Sequence, residues 1–209
     1  MRDHAKFQPP FWLAEGAAEE SSNDDSSNEN NIVQSSSNKI YFYSEVTRPK
    51  ILALNKKIAA LNVTLLNQAN TLVLDKVQAK IRLHINSYGG SVFAGFSAVD
   101  YIKTTDVPVV SIIDGCAASA ATLMSVVADE RYMHEHAFML IHQLSSTTWG
   151  KYEELKDDMK NNDLLMTTIK KIYSKHAKIP KKKLNEILKH DLWFDAKTCL
   201  QYGLIDDIV

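Results

Sequence analysis

At 209 residues with 45% hydrophobic side chains, the chain can bury one substantial core, while two full domains would be tight. A formal net charge of −1 and a pI near 6.7 give no ground for binding nucleic acid or an anionic membrane. Two cysteines, Cys116 and Cys199, make no disulfide framework, and neither a long apolar run nor a basic-then-apolar leader is visible, so a soluble, cytoplasmic protein is expected.

The chain opens with a predicted disordered tail over residues 1–38. Residues 14–38 are dominated by Ser, Asn, Asp and Glu, with Ile32 and Val33 as the only large apolar side chains, too few to offset the entropy of ordering. Ahead of them, Phe7-Gln8-Pro9-Pro10-Phe11-Trp12-Leu13 suits a docking peptide, a plug for its own oligomer or a removable pro-segment, and equally an incidental apolar patch. A single folded domain is expected over 39–209.

Ile40–Tyr43 reads as a short strand. Thr47 and Pro49 supply a cap and a first-turn proline for a helix whose apolar face is Ile51, Leu54, Ile58, Leu61, Leu65 and Leu72. Ile81–Ile85 alternates with period two and ends in the glycine turn Asn86-Ser87-Tyr88-Gly89-Gly90-Ser91, which feeds a helix through Val92, Phe96, Val99 and Ile102. Val109–Ile113 reads as a buried strand ended by Asp114-Gly115, and Thr122–Ala128 as a buried helix. Ser119 stands between them. At such a junction backbone N–H groups lack partners and the helix dipole is positive, which favours a nucleophile and a developing oxyanion; the plainer reading is an N-cap.

Ala137–Ile141 is a further buried strand that ends on His142. A long helix is expected from about Lys151 to Lys175, a short one after Pro180, and a last one capped by Asp195 and closed by Gly203, with Leu204–Asp206 as an edge strand. This alternation predicts an α/β fold with a mainly parallel sheet and crossover helices. The strand ends near Asn86, Gly115 and His142 then share one sheet edge, where sites are built. Gly89-Gly90 would offer backbone N–H groups there, His142 a base, and Asp191 a carboxylate to orient it. Taken singly, His142 also reads as structural and Asp191 as a helix cap.

From Ile40 onward the sequence resembles the ClpP family, the proteolytic subunits of the Clp proteases. Four stretches carry the resemblance: Ile85-Asn86-Ser87-Tyr88-Gly89-Gly90-Ser91-Val92, Gly115-Cys116-Ala117-Ala118-Ser119, Met139-Leu140-Ile141-His142-Gln143 and Tyr202-Gly203-Leu204-Ile205-Asp206. The resemblance implies a ClpP/crotonase-like α/β fold in which the 151–175 helix is a protruding handle. It implies a serine endopeptidase with Ser119 as nucleophile, His142 as general base, Asp191 as its partner, and the N–H groups of Gly90 and Ala120 as oxyanion hole. No metal and no cofactor is implied. The implied substrate is a peptide or unfolded protein, and the implied assembly is a homo-oligomer of heptameric rings, in this family often stacked in pairs around a chamber.

Three departures stand out. The family's Ser-Pro-Gly-Gly turn is Ser87-Tyr88-Gly89-Gly90 here. Its arginine ahead of the triad aspartate is His190, with Glu154 the expected partner on a facing ring. Its hydrophobic groove for the AAA+ unfoldase contains Arg82, His84, Asp114 and His134, so weak or no partnership with a hydrophobic-loop unfoldase is expected. Crotonases lack a serine in this setting, and the SppA-like peptidases of this fold use a Ser–Lys dyad. The alternative reading is an inactive or structural ring subunit in a mixed complex.

Overall fold

Burial alternates along Ile81–Ser87, with Ile81, Leu83 and Ile85 fully buried and Arg82 exposed. That period-two pattern is what a strand with one covered face requires. The computed structural model describes residues 33–72 and 79–209. Its strands are β1 (Val33–Ser36), β2 (Lys39–Phe42), β3 (Ile81–Ser87), β4 (Val109–Ala118), β5 (Glu130–Met133), β6 (Phe138–Leu140), β7 (Trp193–Asp195) and β8 (Asp207–Ile208). Its helices are α1 (Arg48–Leu72), α2 (Val92–Thr104), α3 (Ala120–Val126), α4 (Tyr152–His176), α5 (Lys181–Ile187) and α6 (Ala196–Gln201).

The main sheet runs β1-β2-β3-β4-β5-β8, parallel from β2 onward, with β1 antiparallel at its edge. The expected α/β class with a mainly parallel sheet is what the structure has. The expected tail boundary at residue 38 is corrected: β1 pairs Val33 with Phe42 and Ser36 with Lys39, so Val33–Ser36 belong to the sheet. Gln34, Ser35 and Ser36 are exposed, and only Val33, 2% exposed, enters the core. An edge strand held mainly by main-chain bonds left no apolar pattern to read. The rest of the expected tail, with the Phe7–Leu13 cluster, lies outside the described residues.

The predicted stop at Asp114-Gly115 is also corrected. Strand β4 continues to Ala118, but it changes partner there: Val110–Ile113 pair with β5, whereas Cys116–Ala118 pair with β6. The Asp-Gly pair is the corner at which one long strand passes between two ladders. Besides β1, the short strands β5 and β7 have no counterpart in the sequence reading, and the edge strand expected at Leu204–Asp206 lies instead at Asp207–Ile208.

Helix α4 follows the expected handle closely. Of its 25 residues only Ile169 and Tyr173 are buried, both in its C-terminal half, while Tyr152, Met159 and Leu164 are more than half exposed. Glu154, the expected partner of His190, here accepts a hydrogen bond from the Lys151 N–H at 2.9 Å at the start of this helix. Arg131 ties the far end together, pairing with Asp206 and donating to the carbonyls of His176 and Gly203. The guanidinium holds the Asp206 carboxyl below the usual carboxylate range.

Candidate active site

The sheet edge brings the predicted residues together. Ser119 follows the last residue of β4 and precedes α3, with φ 54° and ψ −126°. A non-glycine residue in this region is strained, and such strain persists only where the surroundings fix it. They do so here from two sides. The Ser119 N–H donates to the Leu140 carbonyl of β6 at 2.9 Å, and the Ser119 carbonyl accepts from the Thr122 N–H and Oγ1 at 3.0 and 2.6 Å. The Ser119 side chain makes no capping hydrogen bond, so the hydroxyl is not occupied in starting α3.

His142 lies two residues beyond β6. Strand β6 pairs antiparallel with β7, Leu140 opposite Trp193 and Phe138 opposite Asp195. Continuing that register by two residues sets His142 opposite Asp191, and His142 Nδ1 lies 3.0 Å from Asp191 Oδ1. The Gln143 N–H also donates to the Leu188 carbonyl at 2.7 Å, which fixes the approach of the two segments. The imidazole is largely buried and the Asp191 carboxylate is 54% exposed. The arrangement leaves Nε2 as the ring nitrogen that can take a proton.

Gly89 and Gly90 supply the opposite wall. Gly89 has φ +99°, and a Cβ there would lie 2.6 Å from the Ala118 carbonyl oxygen and 2.7 Å from Ser119 Cβ. Gly90 has φ +141°, and a Cβ would lie 2.6 Å from the Val46 carbonyl oxygen. Only glycine meets both the conformation and the closeness. The turn is anchored to Val46, whose N–H donates to the Gly89 carbonyl and whose carbonyl accepts from the Ser91 N–H. Among the described residues, neither the Gly90 nor the Ala120 N–H has a backbone partner. Both line one cavity of about 90 Å³ with Ser119, His142 and the apolar side chains of Val92, Leu123 and Ile169.

Two contributors escaped the sequence reading. The Tyr173 hydroxyl, from α4, lies 2.5 Å from Thr122 Oγ1, which in turn donates to the Ser119 carbonyl. Both side chains are buried, and burial pushes the Tyr173 phenol well above its usual range, so it stays protonated. The helical spacing of Ile169 and Tyr173 was the available signal. Cys116 is a poor rival nucleophile, because burial holds its thiol above the usual range. No cluster of metal-ligating side chains occurs among the described residues, and no helix there is long and apolar enough to cross a membrane.

Comparison with known proteins gives a consistent result. A family model described as Clp protease matches residues 34–209. The ATP-dependent Clp protease proteolytic subunit of Deinococcus radiodurans is 30% identical over 145 residues, covering 68% of this chain and 71% of its own. The corresponding subunit of Streptococcus mutans is 36% identical over 133 residues, covering 62% and 68%. Among solved structures, a ClpP1 mutant from Listeria monocytogenes superposes with a TM-score of 0.71 at 19% identity, covering 83% of this chain and 91% of that one. At that identity the likeness establishes the fold.

Proposed function

The chain belongs to the Clp protease family, and we propose that it is a serine endopeptidase that hydrolyses peptide bonds with Ser119, His142 and Asp191. The observation that carries this reading is the strained, uncapped Ser119 in one small cavity with a histidine that a carboxylate orients. In the proposed reaction Ser119 Oγ attacks the scissile carbonyl carbon while His142 takes the hydroxyl proton. The carbonyl oxygen becomes an oxyanion facing the N–H groups of Gly90 and Ala120. His142 returns the proton to the leaving amine, and water then hydrolyses the acyl-enzyme by the same steps. We extend the reading to an oligomeric chamber of heptameric rings, cytoplasmic, with peptides or unfolded chains as substrate.

A fluorophosphonate probe tests the core of this reading. The wild-type protein should carry the adduct on Ser119 by mass spectrometry, and the His142→Ala variant should lose it. A folded, oligomeric protein that takes no label would instead be a structural ring subunit.

The Tyr173–Thr122 pair gives a smaller, separable effect. Tyr173 acts through Thr122 on the Ser119 carbonyl, so it is a positioning residue. Tyr173→Phe should lower kcat about tenfold with KM nearly unchanged, since one buried hydrogen bond orienting the nucleophile is lost. Thr122→Ser, which keeps the hydroxyl, should stay close to wild type. Equal losses in kcat and KM, or no loss, would remove Tyr173 from this role.

A further inference from the structure

The sheet has one covered face and one outward face, and the registers assign residues to each. Across the strands, Ser36, Lys39, Arg82, Val110 and Glu130 form one row, and Gln34, Tyr41, His84, Ile112, Tyr132 and Asp207 the next. Their neighbours Ile40, Leu83, Ile85, Val109 and Ile113 are fully buried, whereas Arg82 is exposed and Lys39, Tyr41, His84, Glu130 and Tyr132 are half-buried. A parallel sheet is normally covered on both faces. Here the outward face opens into a cavity of about 520 Å³ lined by Arg82, His84, Tyr132 and His134 among others.

The charges on this face are unevenly matched. Glu130 pairs with Lys80 and accepts from the Tyr132 hydroxyl. Asp114 accepts from the Tyr43 hydroxyl at 2.5 Å and is flanked by His84 Nδ1 at 2.8 Å and His134 Nε2 at 3.1 Å. Asp207 accepts from the Ile208 N–H at 2.8 Å. Val209, at the edge of the same cavity, lies with its oxygen 3.3 Å from His134 Nδ1. Lys39 and Arg82, side by side in one register row, have no side-chain partner among the described residues. Lys39 and Arg82 are therefore the cations of this face that a carboxylate could still pair with.

The chain carries a matching segment. Residues 14–32 contain Glu15, Glu19, Glu20, Asp24, Asp25 and Glu29, no basic residue, and Ser and Asn between them. This segment joins the fold at Val33 of β1, two strands from Arg82. Val33 shares a row with Ile85, three residues along β3 from Arg82, so two strand spacings and that offset amount to about 14 Å. Asp25, eight residues from Val33, can reach about 26 Å along an extended chain. Covalent attachment gives such a segment an effective concentration on the order of millimolar at the face, an advantage that a free acidic partner lacks.

We propose that the acidic segment 14–32 docks on the outward face of its own sheet, with its carboxylates against Lys39 and Arg82. The docked segment covers the same residues, Arg82, His84, Asp114 and His134, that replace the family's apolar unfoldase groove. An incoming unfoldase would have to displace it. The proposal does not depend on the peptidase reading, because its test measures contact and not activity.

The full-length protein is treated with a carbodiimide, which joins carboxylates to nearby lysines, and the products are mapped by mass spectrometry. Links from residues 15–29 to Lys39 and Lys80 are expected in low salt, and they should fade in 0.5 M salt, where the Debye length falls to about 4 Å. Mixing isotopically light and heavy chains should give links within one chain. In parallel, a glutamate-specific protease should cut after Glu19, Glu20 and Glu29 roughly fivefold faster in Arg82→Glu, the change expected from losing one or two exposed ion pairs. Asp24→Asn with Asp25→Asn and Glu29→Gln should lower links to Lys39 and Lys80 from the remaining Glu15, Glu19 and Glu20 without touching the face. Links spread equally onto Lys156 and Lys160 of α4, links only between chains, or cleavage rates unchanged in folded Arg82→Glu would overturn the proposal.

Discussion

Replacing His142 with alanine is expected to slow hydrolysis of a fluorogenic peptide by roughly 10⁶-fold, because a hydroxyl without its base is a poor nucleophile near neutral pH. Its ring is held at a strand end between the packed residue Ile141 and a carboxylate 3.0 Å away, so its removal takes out the proposed base and leaves the β6 ladder in place. The melting temperature should therefore move by only a few degrees. Asp191→Asn should cost less, about 10⁴-fold, since the base survives and only its tautomer and orientation are disturbed. The 54% exposure of Asp191 points the same way: water competes for a carboxylate that reaches the ring through a single contact. The ordering of the two variants is the informative result. Equal loss in both would make the carboxylate inseparable from the base, and rates near wild type in His142→Ala would remove the proposed chemistry.

The parts of this site differ in how openly the sequence displays them. Ser119 and His142 follow apolar runs, and an apolar run that stops abruptly on a polar residue is visible without any partner. Asp191 is different. Its place opposite His142 depends on the β6–β7 register, and β7 has three residues, too few for a period to appear. Read from the residues alone, it is a candidate carboxylate that serves as well as a helix cap. The same physics hid β5, where Glu130 and Tyr132 face outward and Arg131 is taken up by Asp206, so the strand carries no apolar alternation. It also hid β1, whose exposed Gln34, Ser35 and Ser36 match the composition of the tail before them. Strands that face solvent or sit at an edge are specified by main-chain pairing, which composition does not record. The buried middle of the sheet is specified by its side chains, and there the reading and the fold agree.

Gly89→Ala should be strongly damaging, though less so than losing a member of the proposed triad, even though the residue has no side chain to contribute. Two separate costs arise. At φ +99° an added Cβ forces the backbone out of its native conformation, a strain of about 1–3 kcal/mol. The same Cβ would sit 2.6 Å from the Ala118 carbonyl oxygen, 2.7 Å from Ser119 Cβ and 3.1 Å from the Ala120 nitrogen. These atoms are the nucleophile's own turn and one proposed oxyanion donor, so relief of the overlap must move the reacting groups apart. Displacing one donor costs roughly 10²- to 10³-fold in rate, and a shifted Ser119 adds to that. The expected result is a folded, helix-containing protein with peptide hydrolysis down at least a hundredfold and fluorophosphonate labelling slowed in parallel. Gly150→Ala is the control: there the one close approach of an added Cβ is to the Glu154 carboxylate, the end of a flexible side chain that can swing aside, so activity should hold. Wild-type turnover in Gly89→Ala would mean that the Gly89-Gly90 turn does not shape the site, and the Gly90 N–H would lose its proposed role with it.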